Sequence, residues 1–367
     1  MLAAMTALDL AADPADLTAA LIDLESVSGR EGPLADAVEA ALRRLPHLTV
    51  HRDGDAVVAR TGLGRAERVV LAGHLDTVPL PSTPGARGTV PSSWSEEDGR
   101  RVLYGRGATD MKGGVAVQLA LAAALQEPRR DVTYVFYDHE EVEASASGLG
   151  RLRRNAPHLL EADFAVLLEP TDGTVEGGCN GTMRFRITTR GRAAHSGRSW
   201  IGENAIHKQA DVLARLAAYE PRTVAVEGLE YREGLNAIRI RGGVAGNVVP
   251  DEASVEINYR FAPDRTPEEA LDHVREIFPG HELELTDLSP AARPGLDRPA
   301  AAAFVAAVGQ EPKPKYGWTD VARFSEMGVP AVNFGPGDAL LAHTDDEHVS
   351  ADAVRACYRA LAAWLTD

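Results

Sequence analysis

Seven side chains able to hold a metal ion or carry a proton fall in five short stretches of this 367-residue chain. His74 and Asp76 follow the apolar run RVVLAG, and Asp110 lies in YGRGATDMKGG. Glu140 and Glu141 follow VTYVFY, Glu169 follows FAVLL, and His343 lies in LLAHTDDEH beyond AVNFGPG. Two histidines and several carboxylates, with no cysteine among them, suit Zn²⁺ or a similar divalent ion at a catalytic centre rather than a thiolate structural site. The set is too large for one tetrahedral ion with an open position. It suits two ions ~3.5–4 Å apart, bridged by a carboxylate. Asp76 lies on the same side of an extended chain as His74 and is placed to hold that ring's second nitrogen. Taken singly, each stretch has a plainer reading: a polar loop pair for His74 and Asp76, a solvated turn for the adjacent glutamates, an acidic surface loop for HTDDEH. GRGATDMKGG is no Walker loop, because Gly and not Ser or Thr follows Lys112. The plain readings do not explain why the stretches recur at strand ends or at a loop entering a helix. In open parallel sheets that edge is where ligands bind.

Elements alternating between strand and helix would bring these stretches together. DPADLTAALIDLESVSG (13–29) and SGREGPLADAVEAALRRL read as helices, with Gly29 as a stop between them. AVVARTG, RVVLAGHLD, VTYVFY and FAVLLEP read as strands, and GGVAVQLALAAALQ (113–126) as an apolar helix. The pattern predicts an α/β/α catalytic domain with a largely parallel central sheet. After residue 178 the strands alternate strictly, as TMRFRITTRG does, and the order becomes β-α-β-β-α-β, a ferredoxin-like α+β split unit. Its second helix carries a Thr cap with Glu269 three residues on. AAAFVAAVG, PAVNFGPG and DAVRACYRALAAWL then return to helix, buried strand and helix. We therefore read residues 1–178 and 289–367 as one domain and 179–288 as an insertion. PLPSTPGARGTVPSS (79–93) reads as a long functional or mobile loop.

Bulk composition excludes several functions. A formal net charge of −16 argues against a nucleic-acid partner, although a local arginine cluster can still take an anionic substrate. Two distant cysteines, Cys179 and Cys357, make no disulfide framework. The start, MLAAMTALDLAADPADL, lacks a basic leader region, and no apolar run reaches ~18 residues. The expectation is a soluble cytoplasmic protein with no membrane partner.

GHLDTVP, GRGATDMKGG, HEEVEA, LEP and AAHSG, in this order, resemble the M20 family of di-zinc peptidases and deacylases. The resemblance implies a zinc-peptidase-like catalytic domain, an inserted lid and dimerisation domain, a homodimer formed through it, and two Zn²⁺ per subunit, with Co²⁺ or Mn²⁺ able to substitute. It implies that His74 and Glu169 bind one ion, that Glu141 and His343 bind the other, and that Asp110 bridges them, with a cis peptide at Asp110–Met111. It makes Glu140 the general base and acid and Asp76 the residue orienting His74. His195 becomes the lid histidine that stabilises the oxyanion in a partner's site. EPTDGTVEGGCNGT, TTRGRAAHSGRSWIGENAIHK, GVAGNVVPDEASVEINYRF and GWTDVARF look like the desuccinylase branch of the family. That implies hydrolysis of N-succinyl-L,L-2,6-diaminopimelate to succinate and L,L-diaminopimelate. Asn247, Arg260 and Arg323 match positions that take its carboxylates, and Thr319 in GWTD is read as a further carboxylate contact. The chain departs from the branch at Cys179-Asn180, where an arginine is usual, at Thr344, where a lysine is usual, and at Arg198, which replaces an aromatic and supplies a positive charge. The alternative is another deacylase or carboxypeptidase of the family, such as an acetylornithine deacetylase. A non-catalytic relative would be expected to have lost the base or a ligand, and all are present. Asp138, His139 and Glu143 have no assigned role.

Overall fold

His74 ends a strand, Arg68–His74, that is buried from its second residue onward, and its neighbours in the sheet are equally apolar. In the computed structural model this strand runs parallel to Asp131–Tyr137 on one side and to Phe164–Leu167 on the other. Ala331–Asn333 continues the parallel set beyond Phe164–Leu167. The full order is Thr49–Asp53, Ala56–Arg60, Asp131–Tyr137, Arg68–His74, Phe164–Leu167, Ala331–Asn333, Glu176–Gly177, then the short strand at Lys313. The strand Thr49–Asp53 was not legible in the sequence. It pairs antiparallel with Ala56–Arg60, which pairs antiparallel with Asp131–Tyr137. The structure describes residues 7–367; the first six residues of the stretch read above as lacking a leader lie outside the described residues.

Register decides what emerges at the C-terminal edge. His74 stands level with Tyr137, Ala72 with Leu167, and Leu167 with Asn333. The residues that follow each strand therefore leave the sheet on one side, as carboxyl ends of parallel strands do. Helices cover the sheet. Gly113–Ala124 is buried for its first ten residues, and Pro14–Ile22, Gly32–Leu42, Pro299–Val308 and Ala351–Thr366 each bury one stripe. Phe304 packs edge-on against Phe334 and Trp364, closing the far end of this core. Helix Gly113–Ala124 reaches the sheet only because Gly114 has no side chain: a Cβ there would collide with the Leu168 carbonyl oxygen. The long loop is fastened rather than loose. Its Arg87 and Gly88 amides donate to Asp346 Oδ1 at 3.0 Å and the Asp345 carbonyl at 2.7 Å.

The described residues up to Gly177, with Gly295–Lys313 and Arg323–Asp367, form one compact unit; Gly178–Pro294 and Pro314–Ala322 form the other. The segment Pro314–Ala322 thus groups with the inserted part, whereas the sequence pattern placed everything after 288 with the first domain. Within the second unit four antiparallel strands lie in the order Gly234–Gly242, Glu252–Phe261, Gly181–Arg190, Glu284–Ser289. That is the split β-α-β-β-α-β arrangement. The inward residues Met183, Phe185, Ile187, Val255, Ile257 and Tyr259 pack with Val212, Ala270 and Val274 of helices Ala210–Ala218 and Pro267–Ile277. The capping box at Thr266 and Glu269 forms as the spacing implied. The hairpin Thr223–Val226 with Leu229–Arg232 is an addition to that unit. Among the described residues no helix is long and apolar enough to cross a membrane.

Candidate active site

The strand register brings His74 beside the segment after Tyr137, and the turn before helix Gly113–Ala124 delivers Asp110 between them. His74 Nε2 lies 3.1 Å from Asp110 Oδ1, while His343 Nε2 lies 3.3 Å from Asp110 Oδ2 and 2.9 Å from Glu141 Oε1. One carboxylate thus presents its two oxygens to two different histidines. Two groups of three potential ligands result, His74 with Asp110 and Glu169, and Asp110 with Glu141 and His343, and they share Asp110. A further group is His74 with Glu140 and Glu141. The donor set, two imidazoles and four carboxylates clustered at a strand edge, fits hard-to-borderline divalent ions. The peptide bond between Asp110 and Met111 is cis, as the resemblance implied.

Charge in this cluster is unbalanced toward the acids. Burial raises the Glu141 carboxyl, and the Asp110 charge adds to that. Asp110 itself is held far below the usual carboxylate range, because hydrogen bonds to His343 and His74 outweigh its burial. His343 is pushed up to about 10 by its bonds to Asp110 and Glu141. Burial would lower His74, yet the bond to Asp110 and the charges of Glu169, Asp110 and Asp76 hold it well above its ordinary value. The same negative field that holds protons here would hold cations.

Asp76 does more than the sequence implied, and does it differently. The ring nitrogen Nδ1 of His74 is 2.9 Å from the Asp76 backbone carbonyl and 3.6 Å from its carboxylate. The backbone, not the side chain, takes the ring proton and leaves Nε2 facing the cluster. The fully buried carboxylate is instead spent on the neighbouring loop. Oδ1 accepts the Glu140 N–H and Oδ2 the Glu141 N–H, each at 3.0 Å, and Oδ2 also accepts the Ser28 hydroxyl at 2.7 Å. One side chain therefore sets the backbone of both glutamates.

Two residues without a role in the sequence reading brace the same loop. Asp138 receives Arg151 at 2.6 and 3.0 Å and His139 Nδ1 at 2.8 Å, and Arg151 also holds the Asp53 carbonyl at 2.7 Å. The Arg151 bonds keep the Asp138 carboxyl low against the cost of its burial. Sequence reasoning missed Ser28, Arg151 and Lys112. Lys112 is buried and donates to the Leu21 and Leu24 carbonyls at 3.0 and 2.9 Å, at the end of the first helix. None of these partners is near in sequence, so no local signal marked them.

The residues expected to hold substrate divide between the two units. Arg323 lies in the first, where Nη2 donates to the Ala144 carbonyl at 3.3 Å, just beyond Glu141. His195, Arg198, Asn247, Arg260 and Thr319 lie in the second. There His195 pairs with Val248 in a two-residue ladder, and the Ser196 N–H donates to the Asn247 carbonyl at 2.9 Å. The Gly197 N–H donates to His195 Nδ1 at 3.0 Å, which fixes the proton of the neutral ring on Nε2. Arg260 donates from Nε to Asn258 Oδ1 at 3.1 Å, Arg198 is exposed, and Thr319 is buried, its carbonyl 3.7 Å from Cys179 Sγ.

Residues 70–367 match the model of peptidase family M20/M25/M40. The chain is 52% identical over 361 residues to a Mycobacterium tuberculosis protein provisionally named succinyl-diaminopimelate desuccinylase DapE, covering 98% of this chain and 99% of that one. It is 43% identical over 371 residues to the succinyl-diaminopimelate desuccinylase of Corynebacterium glutamicum, covering 98% of each. Among solved structures, an M20 family metallo-carboxypeptidase of Sulfolobus solfataricus superposes with TM-score 0.77 at 16% identity, over 96% of this chain and 98% of that one. A tripeptidase of Staphylococcus aureus superposes with TM-score 0.76 at 19% identity, over 98% of each. Both likenesses concern the fold.

Proposed function

This chain belongs to peptidase family M20/M25/M40, and from that premise we propose that it hydrolyses N-succinyl-L,L-2,6-diaminopimelate to succinate and L,L-diaminopimelate, a step toward diaminopimelate and lysine. The observation that carries the reaction is Asp110, whose two carboxylate oxygens face two histidines and join two ligand groups. The near full-length identity to the two desuccinylases supports the acyl group. His74, Asp110 and Glu169 would hold one Zn²⁺ and Asp110, Glu141 and His343 the other, with Co²⁺ or Mn²⁺ able to replace them. When bound, such ions supply Lewis acidity and lower the pKa of a water to ~7.

The chain's own groups do the rest. Glu140 also lies within reach of His74 and Glu141, but the two groups sharing Asp110 already use those residues. The family resemblance assigns its carboxylate to take a proton from the attacking water and return it to the leaving amine. Asp76 holds the amides of Glu140 and Glu141 and so keeps proton carrier and ligand apart. His195, with its proton on Nε2, is a donor suited to the developing oxyanion of a partner subunit's substrate. The substrate carries three carboxylates and needs cationic and amide donors; Arg260, Arg323, Arg198, Asn247 and Thr319 are the assigned ones.

The test compares succinyl-diaminopimelate with N-acetylornithine after metal removal and Zn²⁺ restoration. We expect kcat/KM to favour the first by orders of magnitude. Cleavage of acetylornithine ~10-fold faster, a difference of about 1.4 kcal/mol in transition-state binding, would assign the chain to another deacylase of the family.

A further inference from the structure

HTDDEH held more than the ligand His343, because its glutamate turns inward. Glu347 and Arg106 form an ion pair at 2.7 Å with side chains only 1% and 3% exposed. Arg106 Nη1 donates to Oε2, and the other oxygen, Oε1, accepts the N–H groups of both Thr109 and Asp110, each at 3.1 Å. The backbone on either side is tied to the same turn. The Gly105 N–H donates to the Glu347 carbonyl at 3.1 Å and the Thr109 hydroxyl to the His348 carbonyl at 2.6 Å. From below, Gly88 packs so closely that a Cβ would lie 2.7 Å from the Glu347 nitrogen and 2.8 Å from the Asp345 carbonyl oxygen.

We propose that Glu347, anchored by Arg106, is a positioning residue that fixes the backbone of Asp110 and locks the shared ligand to the segment bearing His343. The proposal rests on the two-ion reading above. Asp110 is the one residue common to both ligand groups, and its backbone is far from helical, with φ −118° and ψ 96°. A small rotation there moves both carboxylate oxygens at once, toward one histidine and away from the other. Glu347 Oε1 takes the amide that would report that rotation. A buried ion pair gives little net stability over apolar side chains of similar size. A carboxylate beside a cluster already rich in acids is a poor choice for stability alone, and its use of both amides at the bridging residue points to geometry. Ligand-supporting hydrogen bonds of this kind are worth about 10–100-fold in metal affinity.

Two variants separate positioning from mere structure. Glu347→Gln keeps an acceptor oxygen for the two amides but leaves Arg106 without its counter-charge. The double variant Arg106→Leu with Glu347→Leu removes both charges and so spares folding, but deprives the amides of their acceptor. Zn²⁺ uptake by calorimetry and the Co²⁺ absorption spectrum are read beside thermal melting of the metal-free proteins. We expect the double variant to lose about 10–100-fold in affinity for the weaker ion and to show an altered Co²⁺ spectrum. Glu347→Gln should stay within about 3-fold of wild type in affinity while melting lower. A double variant that binds two ions as tightly as wild type, or affinities that simply follow melting temperature, would overturn the positioning role. A wild-type protein that takes up one ion per subunit would overturn the two-ion reading, and with it this role.

Discussion

Asp76 shows how one buried carboxylate can set a site without touching its ligands' reactive atoms. Both its oxygens are committed to backbone N–H groups of Glu140 and Glu141. In Asp76→Asn one oxygen becomes an NH₂ that faces an N–H, and a buried donor is left unpaired. We expect kcat to fall about 10–100-fold, with metal affinity falling as well because Glu141 moves. Loss of kcat with unchanged Zn²⁺ affinity would instead confine the role of Asp76 to Glu140. Glu140→Gln is the complementary case. It should keep full metal content and lose about 10²–10⁴-fold in kcat, measured with metal analysis on the same sample. Legibility at this scale followed residue type. His74, Asp110, Glu141, Glu169 and His343 were visible because they recur together at strand ends or loop-to-helix turns, where one alone would read as a polar loop, and the structure gathers them. The contact expected from Asp76 to His74 is made more closely by the backbone carbonyl, at 2.9 Å, than by the carboxylate, at 3.6 Å, since the spacing that brings the side chain near also brings the carbonyl. Glu347 was invisible because HTDDEH carries three acids with nothing local to show which turns inward.

Elements were read as well as their apolar runs were long. Arg68–His74, Asp131–Tyr137 and Gly113–Ala124 are buried nearly throughout and stood out as such. The hairpin Ser93–Glu97 with Arg100–Tyr104 did not, because its strands mix exposed charges with a few buried residues. Helix Gly148–Asn155 was missed for the same reason. The start of the strand Asp131–Tyr137 offers a test of how an element is anchored. Asp131 accepts the Thr61 hydroxyl at 2.7 Å and the Leu63 and Arg65 N–H groups at 2.8 and 2.9 Å. Burial would raise its carboxyl, but these bonds and the Arg68 charge outweigh that and hold it below its ordinary value. The unfolded chain, with an ordinary value near ~3.9, then binds more protons than the folded one between the two values. Stability from this group is complete above the unfolded value and is lost as pH falls through the folded one. We expect Asp131→Asn to cost about 1–3 kcal/mol at pH 7 and the gap to wild type to narrow in acid. Urea unfolding at stepped pH checks this. A gap that stays constant down to the lowest pH at which both fold would show that the charge is not what anchors the strand.

Scaled to the whole molecule, the second unit carries a surface that it does not cover itself. Gly234–Gly242 is an edge strand, bonded only to Glu252–Phe261 among the described residues, and it is exposed from Asn236 onward. Open edges are normally blunted by charge, proline or cover. Here Arg239 and Arg241 alternate with Ile238 and Ile240, which are 53% and 54% exposed. Ile240 stands opposite Val255, a core residue, so its face is the apolar one; nearby Ile206 packs where a Cβ on Gly242 would fall. We expect a second copy of the same edge to cover this strand, by antiparallel pairing about a two-fold axis that would give each Ile240 an apolar partner. The proposed role of His195 in a partner's site requires such a dimer. Sedimentation should therefore give a dimer for the wild-type chain. Ile238→Asp with Ile240→Asp places charge on the apolar face of the edge strand while leaving the inner core of Met183, Phe185, Ile187 and Val255 without substitution. That variant should sediment as a monomer with near wild-type melting. It should take up Zn²⁺ normally, because every assigned ligand lies in the other unit, and it should lose activity to about the extent that His195→Ala does, about 10²–10³-fold if the ring serves as an oxyanion donor. A monomeric variant with full activity would remove His195 from the partner's site, and a variant that remains dimeric would move the interface away from this strand.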